Sequence, residues 1–163
     1  MARRAFYSFH YDADNWRAAQ VRSMGVIEGN TPASDNDWES VKRGGDAAIE
    51  RWIQGQLNGT SCAIVLIGSQ TAGRKWIEYE IKESWNQRKG LLGIHIHGLK
   101  DRNGRQSVQG QNPFSGFNVN GTLLTSIVHA YVPPYSDSQQ VYAHINGNLS
   151  DWIETAIAIR GRY

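Results

Sequence analysis

An aromatic and an acidic side chain stand four residues apart near the middle of the chain. Trp76 and Glu80 lie within Gly73 to Arg88, a stretch whose apolar residues recur at the spacing of an α-helix. Residues four apart share one face of a helix, so we expect an aromatic surface and a carboxylate along one rim. Such a carboxylate could stabilise a developing positive charge, although periodicity alone is more typical of a solvated helix glutamate.

Two histidines form a second candidate pair. His95 and His97 stand two apart in a predicted strand, so both face the same side and could in principle reach one metal ion. No cysteine lies nearby and no third ligand is evident. We therefore predict no metal site and expect these imidazoles to line a cleft or to form ordinary hydrogen bonds.

Several common catalytic motifs are missing from the chain. No Gly-x-Gly-x-x-Gly follows the first predicted strand, and neither Gly-x-x-x-x-Gly-Lys-Ser/Thr nor Gly-x-Ser-x-Gly occurs. These absences argue against an ordinary dinucleotide-dependent dehydrogenase, a P-loop enzyme and an α/β-hydrolase.

Strands that could position the candidate residues are indicated by apolar runs. The clearest is Cys62 to Ile67, a continuous apolar run typical of a strand covered on both faces. The other predicted strands are Ala5 to His10, ending in a loop at Tyr11 to Asp14, then Val26-Ile27, Leu91 to His97 and a strand within Leu123 to Val132. Gly98 to Gly121 shows no period and is predicted as a long loop.

Helical periodicity separates these strands. The predicted helices are Asn15 to Met24, with Trp16, Ala19 and Met24 inward; a helix starting from a cap at Asn36 after the polar loop Asn30 to Asp37, with Ile49, Trp52, Ile53 and Leu57 inward; Gly73 to Arg88, with Ile77, Ile81 and Trp85 inward; and two C-terminal pieces parted by Gly147.

Alternating strands and helices predict an α/β fold in one domain over residues 1–163. Right-handed crossovers then give a flavodoxin-like three-layer sandwich with a mainly parallel sheet of about five strands. Ligands of such sheets bind beyond the carboxyl ends of the strands, where the strand order reverses. The loops after the first strand and after Ile67 are therefore the expected site.

Composition narrows the class of protein. Apolar residues make up 40% and charged residues 20%, as in ordinary folded proteins, and no run reaches transmembrane length. The net charge is +2 and the basic residues are scattered, which argues against a dedicated nucleic-acid binder. Cys62 is the single cysteine, and no signal peptide is recognisable, so we predict a cytoplasmic protein that does not bind a membrane.

Two stretches of the chain resemble TIR domains. Phe6-Tyr7-Ser8-Phe9-His10, followed by Asp12, is similar to the TIR first-strand motif, and Val65 to Ser69 is similar to the strand-then-serine segment. Trp76 to Ile81 resembles the TIR box of Trp, two to three variable residues, Glu and an aliphatic residue, although the usual Cys after the tryptophan is Ile77. Glu80 falls on the catalytic glutamate of the NAD-cleaving TIR enzymes.

From about Ala5 to Pro113 the chain resembles the TIR-like sensor of the Thoeris anti-phage system in particular. The stretches that carry this resemblance are Gly25 to Asn30, Asn36 to Glu39 and Lys42 to Asp46. The resemblance implies an NAD glycohydrolase or ADP-ribosyl cyclase that releases nicotinamide and forms a cyclic ADP-ribose isomer. NAD is then a substrate, and no resident cofactor is implied.

The same resemblance implies partners and site residues. The partners are a phage-derived activator, a separate effector that responds to the cyclic product, and further copies of the chain that complete the site on activation. Glu80 would be the catalytic carboxylate. The residues expected to bind substrate are Phe6, Ser8, Phe9, His10, Asp12, Asp37, Lys42, Ser69 and Trp76.

Two other functions stay open on the sequence. A non-catalytic TIR adaptor would assemble through its surfaces, including the Asn30 to Asp37 loop, and would not need Glu80. A phosphoacceptor domain of flavodoxin-like fold would need an acidic cluster at the strand ends, which Asp12 and Asp14 supply only in part.

Overall fold

Five strands form one parallel sheet in the computed structural model, which describes residues 3–24, 27–28 and 41–163. The strands of the described residues are, in chain order, β1 (Arg3–Ser8), β2 (Ile27–Glu28), β3 (Cys62–Ile67), β4 (Gly90–His95), β5 (Asn118–Val119), β6 (Thr122–Leu123) and β7 (Ala130–Tyr131). Of these, β5 and β6 pair only with each other, outside the main sheet. The sheet order is β2-β1-β3-β4-β7, and all four pairings are parallel. This confirms the predicted sheet and places β3 at its centre.

Helices cover both faces of the sheet, as predicted for a three-layer sandwich. Those with bounds inside the described residues are α1 (Tyr11–Arg22), α2 (Gly45–Leu57), α3 (Lys75–Asn86) and α4 (Ser138–Arg160). Alternate β3 residues face opposite layers: Ile64 and Leu66 pack with α1 and α4, while Val65 and Ile67 pack with α2 and α3. Every residue of β3 is buried, which explains its unbroken apolar sequence.

The first helix begins earlier than predicted. The segment Tyr11 to Asp14, predicted as a loop, is its first turn, because the His10 carbonyl accepts a hydrogen bond from the Asp14 amide at 2.9 Å. Trp16 and Ala19 were predicted to face inward, but Trp16 is 52% exposed and Ala19 is exposed as well. The buried face instead carries a polar pair, Asp14 and Arg17, which hydrophobic periodicity does not count as inward.

The middle elements follow the predictions closely. The stripe of α2 is buried at Ile49, Ile53 and Leu57, with Trp52 half-buried beside it. The predicted helix Gly73 to Arg88 is shorter as α3, and Arg88 beyond its end has a φ of 61°, outside the helical region.

The C-terminal third holds two features that the sequence predictions missed or misjudged. Within the predicted loop, Asn120 and Gly121 both have positive φ and close the antiparallel β5–β6 hairpin. The final strand is β7, as expected. The prediction of two helical pieces parted by Gly147 is wrong, because α4 runs unbroken through this residue. The buried stripe of α4 continues on both sides of it, with Ile145 before and Leu149 after.

Predictions for Val26, for the Asn30 to Asp37 loop and for the Asn36 cap lie outside the described residues. No helix within the described ranges is long and apolar enough to cross a membrane.

Candidate active site

A cavity of about 600 Å³ lies at the carboxyl ends of β1 and β3, where the strand order reverses because β2 lies on one side of β1 and β3 on the other. Its lining comes from the segment after β1, from Lys42 just before α2, from the segment between β3 and α3, and from the first turns of α3. The lining residues are Phe9, His10, Tyr11, Asp12, Lys42, Gln70, Ala72, Gly73, Arg74, Lys75, Trp76, Ile77 and Glu80. The volume lies within the range of small-molecule sites.

Glu80 is a buried carboxylate in this cavity. Only 7% of the residue is exposed, whereas Glu78 on the same helix is exposed. Its Oε2 atom has no hydrogen-bond partner. Burial raises the pKa of Glu80 to about 8, and the neighbouring Ser8 hydroxyl offsets part of that rise without completing a hydrogen bond of good geometry to Oε2. The carboxyl group is therefore largely neutral at pH 7 in the unliganded protein.

Trp76 supplies an aromatic surface one helical turn before Glu80. It is half-buried, lines the cavity, and meets Tyr79 edge-on with ring centroids 5.6 Å apart. The Lys75 ammonium lies 4.8 Å from the centre of the Trp76 ring and is held by Asp46 at 2.6 Å. The Trp76 ring therefore already makes one cation–π contact. A positively charged aromatic ligand stacked on this ring would make the same kind of contact.

Charged groups line the cavity beside this pair. Lys42 lies 3.9 Å from Asp12, and both side chains are substantially exposed. Burial lowers the pKa of His10, the positive charges of Arg74 and Lys42 lower it further, and Asp12 partly offsets them. His10 is therefore a neutral imidazole near neutral pH, able to accept or donate one hydrogen bond.

Comparison with known proteins identifies the family. Residues 6–101 match the family described as the Thoeris protein ThsB, TIR-like domain. The chain belongs to this ThsB family. The match spans β1 to β4 and includes every residue that lines the cavity. It confirms the resemblance seen in the sequence.

A relative of known name supports this membership. The chain is 43% identical over 119 residues to a Bacillus cereus (strain MSX-D12) protein named "Putative cyclic ADP-D-ribose synthase ThsB1". The aligned region covers 70% of this chain and 62% of the relative, so the chain spans less than two thirds of the length of that protein.

The structure brings together most of the substrate-binding residues expected in this ThsB-family chain. Those that line the cavity with Glu80 are Phe9, His10, Asp12, Lys42 and Trp76. Ser8 lies beneath it, 1% exposed and close to Glu80. Phe6 is instead a core residue, 3% exposed, Ser69 is exposed and is not part of the lining, and Asp37 lies outside the described residues.

Sequence reasoning overlooked several lining residues of the ThsB domain. Tyr11 directly follows the first-strand motif, and Arg74 and Lys75 directly precede Trp76. Since the helix with Glu80 must point its N-terminus at the carboxyl edge of the sheet, the residues just before Trp76 could have been expected there. The helical spacing of Trp76 and Glu80 predicts their shared face and does not by itself indicate the residues at the start of the helix.

A second buried polar cluster supports the floor of the site. Arg17 donates to the carbonyls of Leu99 and Arg105, both at 2.9 Å, and to Asp14 Oδ1 at 3.2 Å. Burial raises the pKa of Asp14, and Arg17 offsets part of the rise. The Asp14 carboxylate packs so closely on Gly68 that a side chain there would overlap it. This cluster thus fixes the backbone where the segment lining the cavity leaves β3.

The two histidines lie apart from the cavity lining. Their rings meet edge to face with centroids 6.0 Å apart, and burial, followed by the charge on His97, lowers the pKa of His95 to about 4. Within the described part of the chain, no three or more His, Cys, Asp or Glu side chains are placed to hold a metal ion.

Proposed function

We propose that this chain cleaves the nicotinamide–ribose bond of NAD, with Glu80 as the catalytic carboxylate. The observation that carries the proposal is the buried, incompletely paired carboxylate of Glu80 beside the Trp76 ring in a cavity of about 600 Å³. A carboxylate buried in this way destabilises the fold, which is typical of residues retained for chemistry. A non-catalytic adaptor has no use for such a group.

The chemistry suits a single carboxylate. When the bond between the ribose C1′ and the pyridinium nitrogen breaks, its electron pair goes to the nitrogen, and nicotinamide leaves as a neutral molecule. No general acid is needed, whereas the ribose acquires oxocarbenium-like positive charge. The ionised Glu80 would balance that charge and hold the ribose hydroxyls, while Trp76 or Phe9 provides a stacking surface for a planar ring.

Substrate binding would also prepare Glu80 for this role. The pKa of Glu80 is about 8 because the carboxyl group is buried, and a cationic pyridinium placed beside it favours the charged form. Binding of NAD near neutral pH would therefore release a proton from Glu80, so that the charge appears when the substrate arrives.

Nicotinamide release is accordingly expected to accelerate as the pH rises. Below a free-protein pKa of about 8, the ionised fraction of Glu80 and with it kcat/KM for NAD should rise about tenfold per pH unit, and then level off above it. Initial rates between about pH 6 and about pH 9.5 test this. A profile that is flat over this range would show that the rate does not depend on the ionisation of this buried carboxyl group.

The fate of the ribose carbon decides the product. Attack by water gives linear ADP-ribose, whereas attack by a group at the other end of the same nucleotide gives a cyclic isomer. Membership of the ThsB family and the name of the Bacillus cereus relative favour the cyclic product. We infer that this product is a second messenger for a separate effector, that a phage-derived activator triggers its synthesis, and that further copies of the chain assemble on activation. A cytoplasmic location is consistent with Cys62, a buried free thiol.

Mass spectrometry of the small molecules tests the proposed function. The purified protein is incubated with NAD in lysate from phage-infected cells. Nicotinamide together with an isomer that has the mass of cyclised ADP-ribose supports a cyclase, and linear ADP-ribose alone supports a hydrolase. NAD left intact under activating conditions would favour the adaptor alternative.

A further inference from the structure

The basic groups in the cavity differ in how they are paired. Lys75 is engaged by Asp46 at 2.6 Å, and Lys42 lies 3.9 Å from Asp12. Arg74, within the ranges that the structure describes, forms no ion pair. Its Nε donates to the carbonyl of Gln70 at 2.8 Å and its Nη2 donates to Gln70 Oε1 at 3.4 Å. Both acceptors are neutral, so they orient the guanidinium and leave its charge uncompensated. An uncompensated guanidinium in a cavity indicates an anionic ligand.

The start of α3 adds backbone donors at the same place. Arg74 is the N-cap of this 12-residue helix and offers no side-chain acceptor to the amides of the first turn. Lys75, Trp76 and Ile77 all line the cavity, and first-turn amides have no partner within the helix. The partial positive charge of a helix N-terminus attracts anions, so the helix and the Arg74 side chain act together.

A buried carboxylate faces the same cavity one and a half turns further along the helix. Glu80 lies six residues after Arg74, about 9 Å along the axis, and its Oε2 has no hydrogen-bond partner. The cavity therefore carries a carboxyl group that can ionise at the middle of α3 and positive groups at the start of this helix. A nicotinamide nucleotide carries the complementary order of charge, with a cationic ring, then a sugar, then a phosphate.

We infer that Arg74 and the first-turn amides of α3 bind the diphosphate of the substrate and so select a dinucleotide over a nicotinamide nucleoside. The identity of the substrate rests on the proposed function, whereas the anion site rests on Arg74 and the helix start. His10, whose pKa the nearby Arg74 charge helps to lower, lines the same cavity as a neutral hydrogen-bond partner.

Binding measurements with the 163-residue protein test this inference. Isothermal titration with inorganic pyrophosphate is performed on wild type, on Arg74→Gln and on Arg102→Gln, a matched control at an exposed residue outside the lining. Losing one charge-assisted contact is expected to weaken pyrophosphate binding by about tenfold or more in Arg74→Gln and not in the control. Arg74 is itself exposed, so thermal unfolding should show the same stability in all three proteins.

A second titration, in the Glu80→Gln background so that no turnover occurs, compares NAD with nicotinamide riboside. Arg74→Gln is expected to weaken NAD binding by the same factor and to leave the affinity for the riboside unchanged. Equal pyrophosphate affinity in Arg74→Gln and Arg102→Gln, or no pyrophosphate binding to any of them, would overturn the inference. Arg74-dependent pyrophosphate binding by a wild-type protein that never cleaves NAD would sustain the anion site and reject the proposed function.

Discussion

Replacing Glu80 by glutamine is expected to abolish nicotinamide release from NAD while the protein stays folded. Glutamine keeps the shape of the side chain but cannot carry the negative charge that balances an oxocarbenium-like ribose. A fixed charge in a buried site is worth several kcal/mol to the transition state, so we expect the rate to fall by about 10³-fold or more. Release of nicotinamide, measured by chromatography under activating conditions, gives the ratio.

The matched control for this variant is Glu78→Gln, two residues away on the same helix. Glu78 is exposed and does not line the cavity, so the rate should stay close to that of wild type. If both variants released nicotinamide equally slowly, the loss of rate would be due to a disturbed helix and not to the missing Glu80 carboxylate.

The stability of Glu80→Gln provides a second control. The folded-state pKa of Glu80 is about 8, above the ordinary 4.5, so the folded protein holds a proton that the unfolded chain has lost between these values. Unfolding then becomes easier as the pH rises through this window, and the wild-type protein loses stability. Glutamine removes this loss. We expect the melting temperature of Glu80→Gln to exceed that of wild type at pH 8 and the difference to shrink towards pH 5.

Replacing Arg17 by methionine is expected to destabilise the protein severely. The change leaves the buried Asp14 without its cation and removes the donor to the Leu99 carbonyl, in a buried setting, and to the Arg105 carbonyl, in a partly buried one. Breaking a buried pair by removing one partner costs about 3–5 kcal/mol, a large share of the stability of a single domain. Urea unfolding followed by tryptophan fluorescence measures the free energy of unfolding.

Two further variants separate the effect of buried charge from that of a lost contact. Adding Asp14→Asn to Arg17→Met should recover part of the loss, because no uncompensated carboxylate is left buried. Arg3→Met removes an exposed ion pair with Glu154, whose atoms lie 2.8 Å apart, and should change stability little since solvent screens that pair. If Arg17→Met lowered the free energy of unfolding no more than Arg3→Met, the buried cluster of Asp14 and Arg17 would not be a structural support of the site.

The sequence predicted those parts of the fold in which local pattern and burial agree. Cys62–Ile67 is apolar throughout because helices cover both of its faces. The apolar stripe of α2 faces the core because the buried residues of this helix are all apolar and follow helical spacing. The first helix was misplaced because its inward face contains Asp14 and Arg17, which are buried through each other and through loop carbonyls. The carbonyls that accept from Arg17 belong to residues 82 and 88 positions away in the sequence, and periodicity cannot detect such distant contacts.

Tertiary packing also decided the features that the sequence analysis missed near the C-terminus. Gly147 has open space around it and interrupts nothing, since the buried residues on either side hold α4 straight against the sheet. The Asn120-Gly121 pair, in contrast, is a hairpin signal that was available in the sequence.

Part of the site could be predicted from residue spacing and family resemblance, and part could not. The spacing places Trp76 and Glu80 on one helix face, and the resemblance brings Phe9, His10 and Asp12 beside them. The burial of Glu80 follows from its neighbour Ser8 at the end of β1, and the pattern of its own helix does not predict it. The different placements of Phe6 and Ser8 reflect their depth, because Ser8 ends β1 at the edge of the site and Phe6 lies two residues deeper under the helices.

The most direct test of the central claim follows the nicotinamide ring of NAD by proton NMR during incubation with wild type and with Glu80→Gln under the same activating conditions. Wild type is predicted to convert the ring resonances of NAD into those of free nicotinamide, while Glu80→Gln leaves them unchanged. Conversion at the same rate by both proteins, or by neither, would contradict the assignment of Glu80 as the catalytic carboxylate of an NAD-cleaving enzyme.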